Sequence, residues 1–343
     1  MKEVSVGERR IGEGHPAFII AEIGSNHNGS LKRAMKLIDL AVEAKADAVK
    51  FQYYKAEHLF SRRTPGFNYL KKVDTWELVK SIETPRSWTK ALANHCEDRG
   101  IIFFASAFDR EAVDLLEDYV PAYKIASFEI VDLDFIKYTA KKGKPILLAT
   151  GMANLGEIEE ALEAIRSVGN KDIVLMQCTS LYPSPVMDMN LAAMATMERA
   201  FKLPVGLSDH TLGIHISLAA VALGAKTIEK HYTLDRKLPG PDHPFAIEPD
   251  ELKALVSGAR DIEGAMGTGI KERTEHESVE MYSKGRRSLH ARVRIPKGKR
   301  IDEDMLVVKR PGYGIRPRDE HLVVGRTARR DIKPDEWITW DMV

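Results

Sequence analysis

The chain has 343 residues, 44% of them hydrophobic and 29% charged, with a formal net charge of +1. This composition is typical of a folded globular protein, and the length allows one large domain plus a small one. It excludes extensive disorder, and because no apolar run reaches about 18 residues we expect no membrane span. Residues 1–16 lack the apolar core of a secretion signal, and Cys96 and Cys178 are too few for a disulfide framework, so a cytoplasmic protein is expected.

Charge is distributed unevenly along the chain. Residues 284–343 contain 16 Lys and Arg against 9 Asp and Glu, a net +7, which leaves −6 for the rest of the chain. Opposite net charges of this size favour docking of a basic segment on an acidic one. A basic surface that only keeps the segment soluble is the alternative. Nucleic-acid binding is not expected, because the segment has no basic motif interleaved with aromatic residues.

A short apolar run followed by a helical pattern recurs eight times. The runs lie at 17–24, 48–52, 101–106, 122–127, 145–150, 172–178, 205–209 and 227–231. Near-continuous apolar runs are typical of parallel strands that are buried on both faces. Eight such strand–helix units predict an α/β fold, the TIM barrel. An open doubly wound sheet is the alternative, but no G-x-G-x-x-G motif follows the first run.

The segments between the runs have helical periodicity. Residues 31–46 place their apolar side chains on one face. The helix predicted over 154–168 is expected to begin with a capping box, because Asn154 is followed three residues later by Glu157.

Several segments fall outside this repeat. Residues 1–16 are expected to form a hairpin that caps the barrel bottom, and 53–83 is a long insertion of the kind that is usually functional. The Gly-rich polar segment 265–284 predicts a linker. Short alternating runs with frequent Pro and Gly then predict a small β-rich domain over 285–343, which leaves 1–264 as the barrel domain.

Polar residues follow almost every predicted strand. The C-terminal strand ends form the active site of a TIM barrel, so these side chains are candidates for binding and catalysis. Lys50 and Lys124 leave neighbouring parts of the barrel mouth, and Ser106 and Ser127 lie near them in sequence. Ammonium and hydroxyl groups together favour a phosphate or carboxylate ligand. Further candidates at strand ends are Gln52, Phe108, Ser180, Tyr182 and Ser208.

Two other interpretations of the lysines stay open. They pair structurally with Glu22 or Glu129, or one of them forms a Schiff base with a carbonyl substrate. A Schiff base requires a desolvated lysine with a lowered pKa, and two cations around one anionic ligand fit that requirement less well.

His210 and His231 end the seventh and eighth strands and are expected to meet across one gap in the rim. Two imidazoles with water and substrate oxygens suit a labile divalent ion such as Mn²⁺. Because adjacent strand residues point to opposite faces, Asp209 is not expected beside His210, whereas Glu229 shares the face of His231 and would support it. Ordinary hydrogen-bonded histidines are the alternative.

Two further motifs carry candidate residues. The loop LPGPDHPF at 238–245 follows the eighth strand and is expected to hold Asp242 over the mouth, with a proline-stiffened turn as the alternative. In the small domain, KRPGYG at 309–314 places two cations, one of them Arg310, on a Pro-Gly turn.

The motifs taken together resemble a known family. The segments that carry the resemblance are, in order, AEIGSNHNGS, VKFQ, YKIASFEI, TGM, CTSLYPSP, GLSDHT, EKHYT and PGPDH. They resemble the sialic acid (nonulosonate) synthases, and the tail with VKRPGYGI resembles the C-terminal SAF, or antifreeze-like, domain of that family. The resemblance covers nearly the whole chain and implies a TIM barrel followed by a small β-clip domain.

The resemblance implies a transferase reaction. The family condenses phosphoenolpyruvate with an N-acetylated amino sugar and releases phosphate, using a divalent metal that is usually Mn²⁺, with Mg²⁺ or Co²⁺ as other candidates. N-acetylmannosamine is the first candidate acceptor, which would make the chain an N-acetylneuraminate synthase. A 2,4-diacetamido-2,4,6-trideoxy hexose, the legionaminic acid precursor, is the second, and the spelling AEIGSNHNGS is less like that of pseudaminic acid synthases. A non-enzymatic alternative makes the tail a ligand-binding module.

The resemblance also implies roles for particular residues. These are phosphoenolpyruvate contacts at Lys50, Ser106, Lys124 and Ser127, metal ligands at His210 and His231, carboxylates beside the reacting centre at Glu22 and Glu129, and sugar contacts at Gln52, Tyr182 and Asp242. Arg310 matches an arginine that reaches the sugar N-acetyl group in the barrel of a partner subunit, which implies a domain-swapped homodimer. Ala149 stands where some relatives have Ser and Ser180 where some have Asn, so the phosphate contacts at these two positions differ from those relatives.

Overall fold

The computed structural model describes residues 3–65, 74–278 and 280–343, and the chain folds into two compact units, Met1–Gly267 and Thr268–Val343. The strands are β1 (Val4–Val6), β2 (Arg9–Ile11), β3 (Phe18–Gly24), β4 (Ala48–Tyr53), β5 (Ile102–Ala107), β6 (Tyr123–Ile125), β7 (Ile146–Ala149), β8 (Ile173–Cys178), β9 (Val205–Asp209), β10 (Thr227–His231), β11 (Ser288–Ala291) and β12 (Leu306–Lys309). The α-helices are α1 (Leu31–Glu43), α2 (Ala56–Leu59), α3 (Thr75–Ser81), α4 (Thr89–Arg99), α5 (Arg110–Leu116), α6 (Leu133–Ala140), α7 (Leu155–Ser167), α8 (Ala192–Phe201), α9 (His215–Ala222), α10 (Pro249–Met266), α11 (Glu275–Ser278) and α12 (Glu320–Val323).

The first unit is a closed barrel of eight parallel strands. The strands β3 to β10 follow one another in chain order, and β10 closes the barrel by pairing with β3. The TIM barrel predicted from the eight apolar runs is confirmed, and the doubly wound alternative is wrong. Because every strand runs the same way, all eight C-terminal ends meet at one mouth.

A hairpin closes the bottom of the barrel. Strands β1 and β2 pair antiparallel, as expected for residues 1–16. Val4, Val6 and Ile11 are buried in one apolar cluster with Phe18 and Phe104 of the barrel strands. The bottom is therefore sealed by hydrophobic contact, and polar chemistry is left to the other end.

Two helices of the barrel begin at side chains that cap their first turn. Asn154 and Glu157 form the predicted capping box at the start of α7, each side chain bonding to the backbone of the other residue. Ser30 caps α1 in a similar way by accepting the N–H of Arg33. The buried face of α1 consists of Ala34, Leu37, Ile38 and Ala41.

The insertion after β4 is described in part. It contains α2 and α3, and residues 66–73 of the predicted insertion lie outside the described residues. The Arg62 guanidinium stacks 3.7 Å from the ring centroid of Trp76, a cation–π contact.

The second unit has its own small core. Strands β11 and β12 pair antiparallel, and isolated bridges such as Ile295 with Ile332 extend the β structure. The buried side chains of this core include Leu289, Ala291, Ile295, Ile301, Leu306, Ile315, Val323, Ala328, Ile332 and Ile338. The segment predicted as a linker over 265–284 contains α11 and most of a π-helical turn, Met281–Gly285. Across the described residues, no helix combines the length and apolarity needed to cross a membrane.

Candidate active site at the mouth of the barrel

Two buried lysines share one carboxylate inside the barrel mouth. Lys50 Nζ lies 3.0 Å from Glu22 Oε2 and 2.9 Å from Ser106 Oγ. Glu229 Oε1 lies 3.5 Å from Lys50 Nζ and also 3.5 Å from Lys124 Nζ. The strand ends of β3, β4, β5, β6 and β10 therefore meet in a single charged network.

The lysines and carboxylates set each other's ionisation. Burial alone would raise the pKa of Glu229, but the ammonium groups of Lys124 and Lys50 hold it at about 2. Burial lowers the pKa of Lys50, and the two carboxylates of Glu22 and Glu229 outweigh it, so the net pKa is raised. A raised pKa disfavours the neutral amine that a Schiff base at Lys50 would need.

Glu22 is held as an acceptor in this network. Its Oε1 accepts a 2.7 Å hydrogen bond from Gln52 Nε2, while Oε2 pairs with Lys50. Structural pairing of a lysine with Glu22, one of the two interpretations kept open above, is therefore present at Lys50. The partner of Lys124 is Glu229, and no lysine among the described residues forms an ion pair with Glu129, so that alternative is not found.

A small polar cradle lies beside this network. Ser127 Oγ accepts the N–H of Gly151 at 3.0 Å. A Cβ placed on Gly151 would come within 2.3 Å of Ser180 Oγ and 2.8 Å of Ser127 Oγ, so only glycine fits between the two hydroxyls. Ser180 Oγ is buried and has no hydrogen-bond partner among the described residues. Two converging hydroxyls with spare capacity suit an anionic oxygen.

Glu129 has the most unusual carboxyl group at the mouth. It lies on the 3₁₀ turn that follows β6, and its Oε2 is buried without a hydrogen-bond partner in the described structure. Burial raises the pKa of Glu129 to about 7, although the nearby Lys124 partly opposes the shift. A carboxyl group that titrates near neutral pH can take up and release a proton during turnover.

The two histidines form an aromatic cluster. The ring centroids of His210 and His231 lie 5.3 Å apart, and the ring of Tyr182 lies 4.3 Å from that of His210. Phe245 covers the other side, 4.9 Å from His231. The sequence expectation that the two histidines meet across one gap in the rim is confirmed.

The Nδ1 atoms of His210 and His231 differ in their hydrogen bonding. His210 Nδ1 lies 2.9 Å from the carbonyl oxygen of Thr179, which only accepts, so Nδ1 carries the proton and the Nε2 lone pair is left for a ligand. His231 Nδ1 is buried without a hydrogen-bond partner in the described residues, and its nearest carboxylate, Asp242 Oδ2, is 3.5 Å away. No cluster of three or more His, Cys, Asp or Glu side chains among the described residues is arranged to hold a metal ion, so a bound ion would take its other ligands from water and substrate.

The loop over the mouth is tied to the first strand's loop. His243 Nε2 lies 2.9 Å from Asn28 Oδ1, and His243 Nδ1 lies 2.6 Å from Thr233 Oγ1. Asn28 also donates to the carbonyl oxygen of Pro239 at 2.8 Å. Gly240 packs on this pair at φ +148°, and a Cβ there would lie 2.8 Å from the His243 ring. These contacts fix the loop that carries Asp242.

Of the remaining candidates, Ser208 joins the lysine–carboxylate network, and Phe108 lies apart from it. Phe108 packs edge-to-face on Tyr54, with 5.7 Å between the ring centroids. Ser208 Oγ donates to Glu229 Oε1 at 3.3 Å. Arg310 belongs to the second unit, where it is exposed and has no ion-pair partner among the described residues. Its neighbour Lys309 pairs with Asp335.

Sequence reasoning gave Glu229 other partners than the structure does, and it missed two further contributors, Gly151 and His243. Glu229 was expected to support His231, and the structure places it between the two lysines. Its inward position was readable from strand alternation, but its partners were not. Gly151 and His243 gave no signal beyond a TGM motif and a Pro-rich loop, because their roles depend on contacts with distant segments.

A closed barrel whose buried ionisable groups gather at the C-terminal strand ends is the arrangement of a TIM-barrel enzyme. The NeuB family model matches residues 37–271, and the SAF domain model matches residues 286–343. The chain therefore belongs to the NeuB family of nonulosonate synthases and carries a C-terminal SAF domain. Members of this class are transferases, and the chain is an enzyme of that class.

Three relatives illustrate the similarity. The N,N'-diacetyllegionaminic acid synthase of Campylobacter jejuni is 45% identical over 94% of this chain and 98% of its own. The human N-acetylneuraminate-9-phosphate synthase is 36% identical over 98% of this chain and 95% of its own. The crystal structure of an N-acetylneuraminic acid synthetase from Leptospira borgpetersenii has a TM-score of 0.74 at 37% identity and covers 80% of this chain and 94% of that one.

Proposed function

We propose that this protein condenses phosphoenolpyruvate with an N-acetylated amino sugar to give a nonulosonic acid and phosphate. The observation that carries the proposal is the pair of buried lysines, Lys50 and Lys124, joined through Glu229 beside the hydroxyl cradle of Ser127 and Ser180. This arrangement offers two cations and several donors to a ligand that has both a carboxylate and a phosphate.

The chain's own groups account for binding and proton movement. C3 of phosphoenolpyruvate forms the new bond to the sugar aldehyde carbon, and the aldehyde oxygen becomes a hydroxyl group. Water adds to C2, the C2–O bond to phosphate breaks, and C2 becomes a ketone. Of the two water protons, one ends on the new hydroxyl group and the other on the released phosphate. Lys50 and Lys124 hold the anionic groups in place through these steps. Glu129 takes a proton from the adding water at its free Oε2, because Glu22 is already committed to Lys50 and Gln52.

His210 and His231 would hold a divalent ion, with Mn²⁺ as the first candidate. The available Nε2 of His210 and the orphaned Nδ1 of His231 fit such a role. When bound, the ion supplies polarisation of the sugar carbonyl oxygen. Tyr182, Gln52 and Asp242 lie close enough to this side of the mouth to orient the sugar.

The acceptor we favour is a 2,4-diacetamido-2,4,6-trideoxy hexose. The supporting observation is the 45% identity to the C. jejuni N,N'-diacetyllegionaminic acid synthase over almost the full length of both chains. N-acetylmannosamine, the first candidate on sequence motifs, becomes the second, supported by the 37% identity to the Leptospira N-acetylneuraminic acid synthetase.

The sugar panel provides the decisive experiment. Phosphate release from phosphoenolpyruvate is measured with Mn²⁺ and each of three acceptors: the two sugars above and the precursor of pseudaminic acid. We expect the highest kcat/KM with the 2,4-diacetamido-2,4,6-trideoxy hexose that is the legionaminic acid precursor, at least tenfold above that with N-acetylmannosamine. Release with none of them, or a covalent adduct trapped by borohydride with pyruvate, would overturn the proposal.

We also propose a domain-swapped homodimer. The loops after β6 to β9 expose apolar side chains around the mouth, a composition typical of surfaces that are covered in an assembly. These side chains are Phe128, Val131, Met152, Leu181, Met187 and Leu212. Arg310, exposed and without an ion-pair partner in the described residues, would complete the sugar site of the partner subunit.

Mixing two inactive variants tests the swap. Arg310→Ala removes the arginine from one subunit, and Lys124→Ala inactivates the barrel of the other. In the swapped arrangement, a heterodimer has one barrel with its lysine and a neighbouring arginine, so activity returns to about a quarter of the wild-type value for random pairing. Mixtures that stay inactive after subunit exchange, or a monomer by light scattering, contradict the swap.

A further inference from the structure

Asp209 and Lys230 form a buried ion pair directly behind the two histidines. Asp209 immediately precedes His210 and Lys230 immediately precedes His231, and the two are Cα partners in the register of β9 with β10. Asp209 Oδ2 lies 3.0 Å from Lys230 Nζ, and the residues are 0% and 1% exposed. Because neighbouring strand residues point to opposite faces, this pair occupies the outer face of the strands, away from Glu229.

The pair holds the backbone that follows His210. Asp209 Oδ1 accepts the N–H of Thr211 at 2.8 Å, and Lys230 Nζ donates to the carbonyl oxygen of Thr211 at 2.5 Å. Asp209 Oδ2 also accepts a 2.6 Å hydrogen bond from Ser217 of α9. One acid and one base therefore fix the peptide groups on both sides of Thr211, the residue after His210, and tie them to the strand that carries His231.

A buried ion pair is unusual on the outer face of the barrel strands. The outer faces of parallel barrel strands are ordinarily packed with Val, Ile and Leu against the helices. Replacing a buried ion pair by apolar residues is often neutral or stabilising, so overall stability does not account for the pair. What it supplies here is position: it specifies where the loop after β9 runs relative to the end of β10.

We infer that Asp209 and Lys230 are positioning residues that set the spacing of His210 and His231 and thereby the affinity of the histidine pair for a divalent cation. The inference rests on the metal site in the proposed function. It assigns a purpose to two buried charges that contact no candidate ligand atom. Loss of a hydrogen-bonding partner of a metal-ligating histidine weakens metal affinity by about 10- to 100-fold, and we expect the lower end of that range here because Asp209 and Lys230 act on the backbone beside His210.

The double variant Asp209→Asn/Lys230→Met separates positioning from stability. Each single variant leaves one buried charge unpaired, so we expect both to lower Tm strongly. In the double variant both charges are gone, while the introduced asparagine still offers an oxygen to the Thr211 N–H and the introduced methionine fills the volume of the lysine. We therefore expect its Tm to return to within a few degrees of wild type.

Mn²⁺ alone is the probe, and its Kd is measured on the full chain by the EPR signal of the free ion. We expect the double variant to bind Mn²⁺ about tenfold or more weakly than the wild type. The matched control is Asp47→Asn, which breaks an ion pair with Arg9 and Arg260 at the opposite end of the barrel. It should lower Tm and leave the Kd unchanged.

The outcomes distinguish the two proposals. A double variant with the wild-type Kd means that the pair is only structural and overturns the inference, while the metal site stands. A wild-type protein that does not bind Mn²⁺, or a His231→Ala variant that binds it as tightly as wild type, overturns the metal site and the inference with it.

Discussion

The two ends of the barrel treat their buried polar groups in opposite ways. At the N-terminal end, the Asp47 carboxylate accepts the N–H of Ile19 at 2.8 Å and pairs with Arg9 at 2.5 Å and Arg260 at 3.2 Å. At the C-terminal end, several buried polar atoms lack a hydrogen-bond partner among the described residues. They are Glu129 Oε2, Ser180 Oγ, Glu229 Oε2 and His231 Nδ1.

Polar groups that are bonded within the fold stabilise it, whereas buried polar groups without a partner are available to bind a ligand. A buried polar atom without a partner costs about 1–3 kcal/mol, a cost that a bound ligand can remove. Asp47 at the bottom is fully engaged within the fold, whereas Glu129, Ser180, Glu229 and His231 at the mouth each keep an atom that can bind a ligand. Substitutions at the mouth should therefore change activity more than stability, and substitutions at the bottom should do the reverse.

The largest expected effect is that of His231→Ala. We expect phosphate release to fall by about 10⁴-fold, because the polarising contribution of a metal is several kcal/mol and each 1.4 kcal/mol is about tenfold in rate. Activity is compared per folded molecule, because the buried ring packs against Phe245 and His210 and its removal also lowers Tm. Activity within tenfold of wild type, or full activity after EDTA treatment, would sink the metal assignment.

The second-largest effect on activity is expected for Lys124→Met. Removing this cation raises the pKa of Glu229, which Lys124 and Lys50 together hold low, and takes one donor from the anion site. We expect kcat/KM for phosphoenolpyruvate to fall by about 10³-fold, the upper range for loss of one such donor.

The matched control for this variant is Lys144→Met. Lys144 precedes β7 at the other end of the barrel and donates to the carbonyl oxygen of Val120 at 2.7 Å. It should keep the wild-type kcat/KM. Equal losses in the two lysine variants would contradict a functional contrast between the ends.

Glu129→Gln tests, through the pH dependence of the unfolding free energy, whether the unpartnered carboxyl group at the mouth has a raised pKa. The pKa of Glu129 is about 7 in the folded protein and 4.5 ordinarily, so the unfolded chain loses its proton first as pH rises. This carboxyl group therefore stabilises the fold fully below pH 4.5 and loses that contribution as pH rises to 7. Glutamine does not titrate, so the unfolding free energy of the variant relative to wild type should increase by about 3 kcal/mol across that window.

Urea unfolding at a series of pH values measures this difference. Glu159→Gln, at an exposed position on α7, is the control and should follow the wild-type curve. If the Glu129→Gln and wild-type curves run parallel from pH 4.5 to 7, Glu129 does not have a raised pKa. The pH–rate profile of the wild type should also contain a limb near pH 7 that the Glu129→Gln variant lacks.

The smallest expected effect is at the bottom of the barrel. Asp47→Ala leaves the buried Ile19 N–H without this acceptor and removes one partner each from Arg9 and Arg260, so the unfolding free energy should fall by about 2 kcal/mol. Activity per folded molecule should stay within twofold of wild type, as measured by phosphate release at 25 °C. A large loss of activity without loss of stability would show that the two ends are not separate in function.

Much of the barrel was predictable because its signals are local. Continuous apolar runs mark parallel strands that are covered on both faces, and the ranges predicted for β9 and β10 match the structure. The capping box at Asn154 involves residues three apart, so the sequence alone specifies it. Eight repeats of one pattern then favour a single closed topology.

The candidate site was predictable as a set of strand ends but not as a network. Alternation places Glu229 and His231 on the inner face of β10, yet it does not say which groups they face. Barrel closure brings Glu229 to Lys50, which is 179 residues earlier in the chain, and to Lys124. The alternative pairing of a lysine with Glu129 is not found for this reason.

The sequence by itself determined the elements, their order and the end of the barrel at which polar groups gather. Only the tertiary structure decided the partners: which carboxylate lies between the lysines, which carbonyl orients His210, and which contacts hold His243 over the mouth. The physical reason is the separation along the chain over which each kind of interaction acts. Periodicity and capping depend on neighbours within a few residues, whereas ion pairs and hydrogen bonds across a closed sheet depend on register and closure, which many distant contacts fix together.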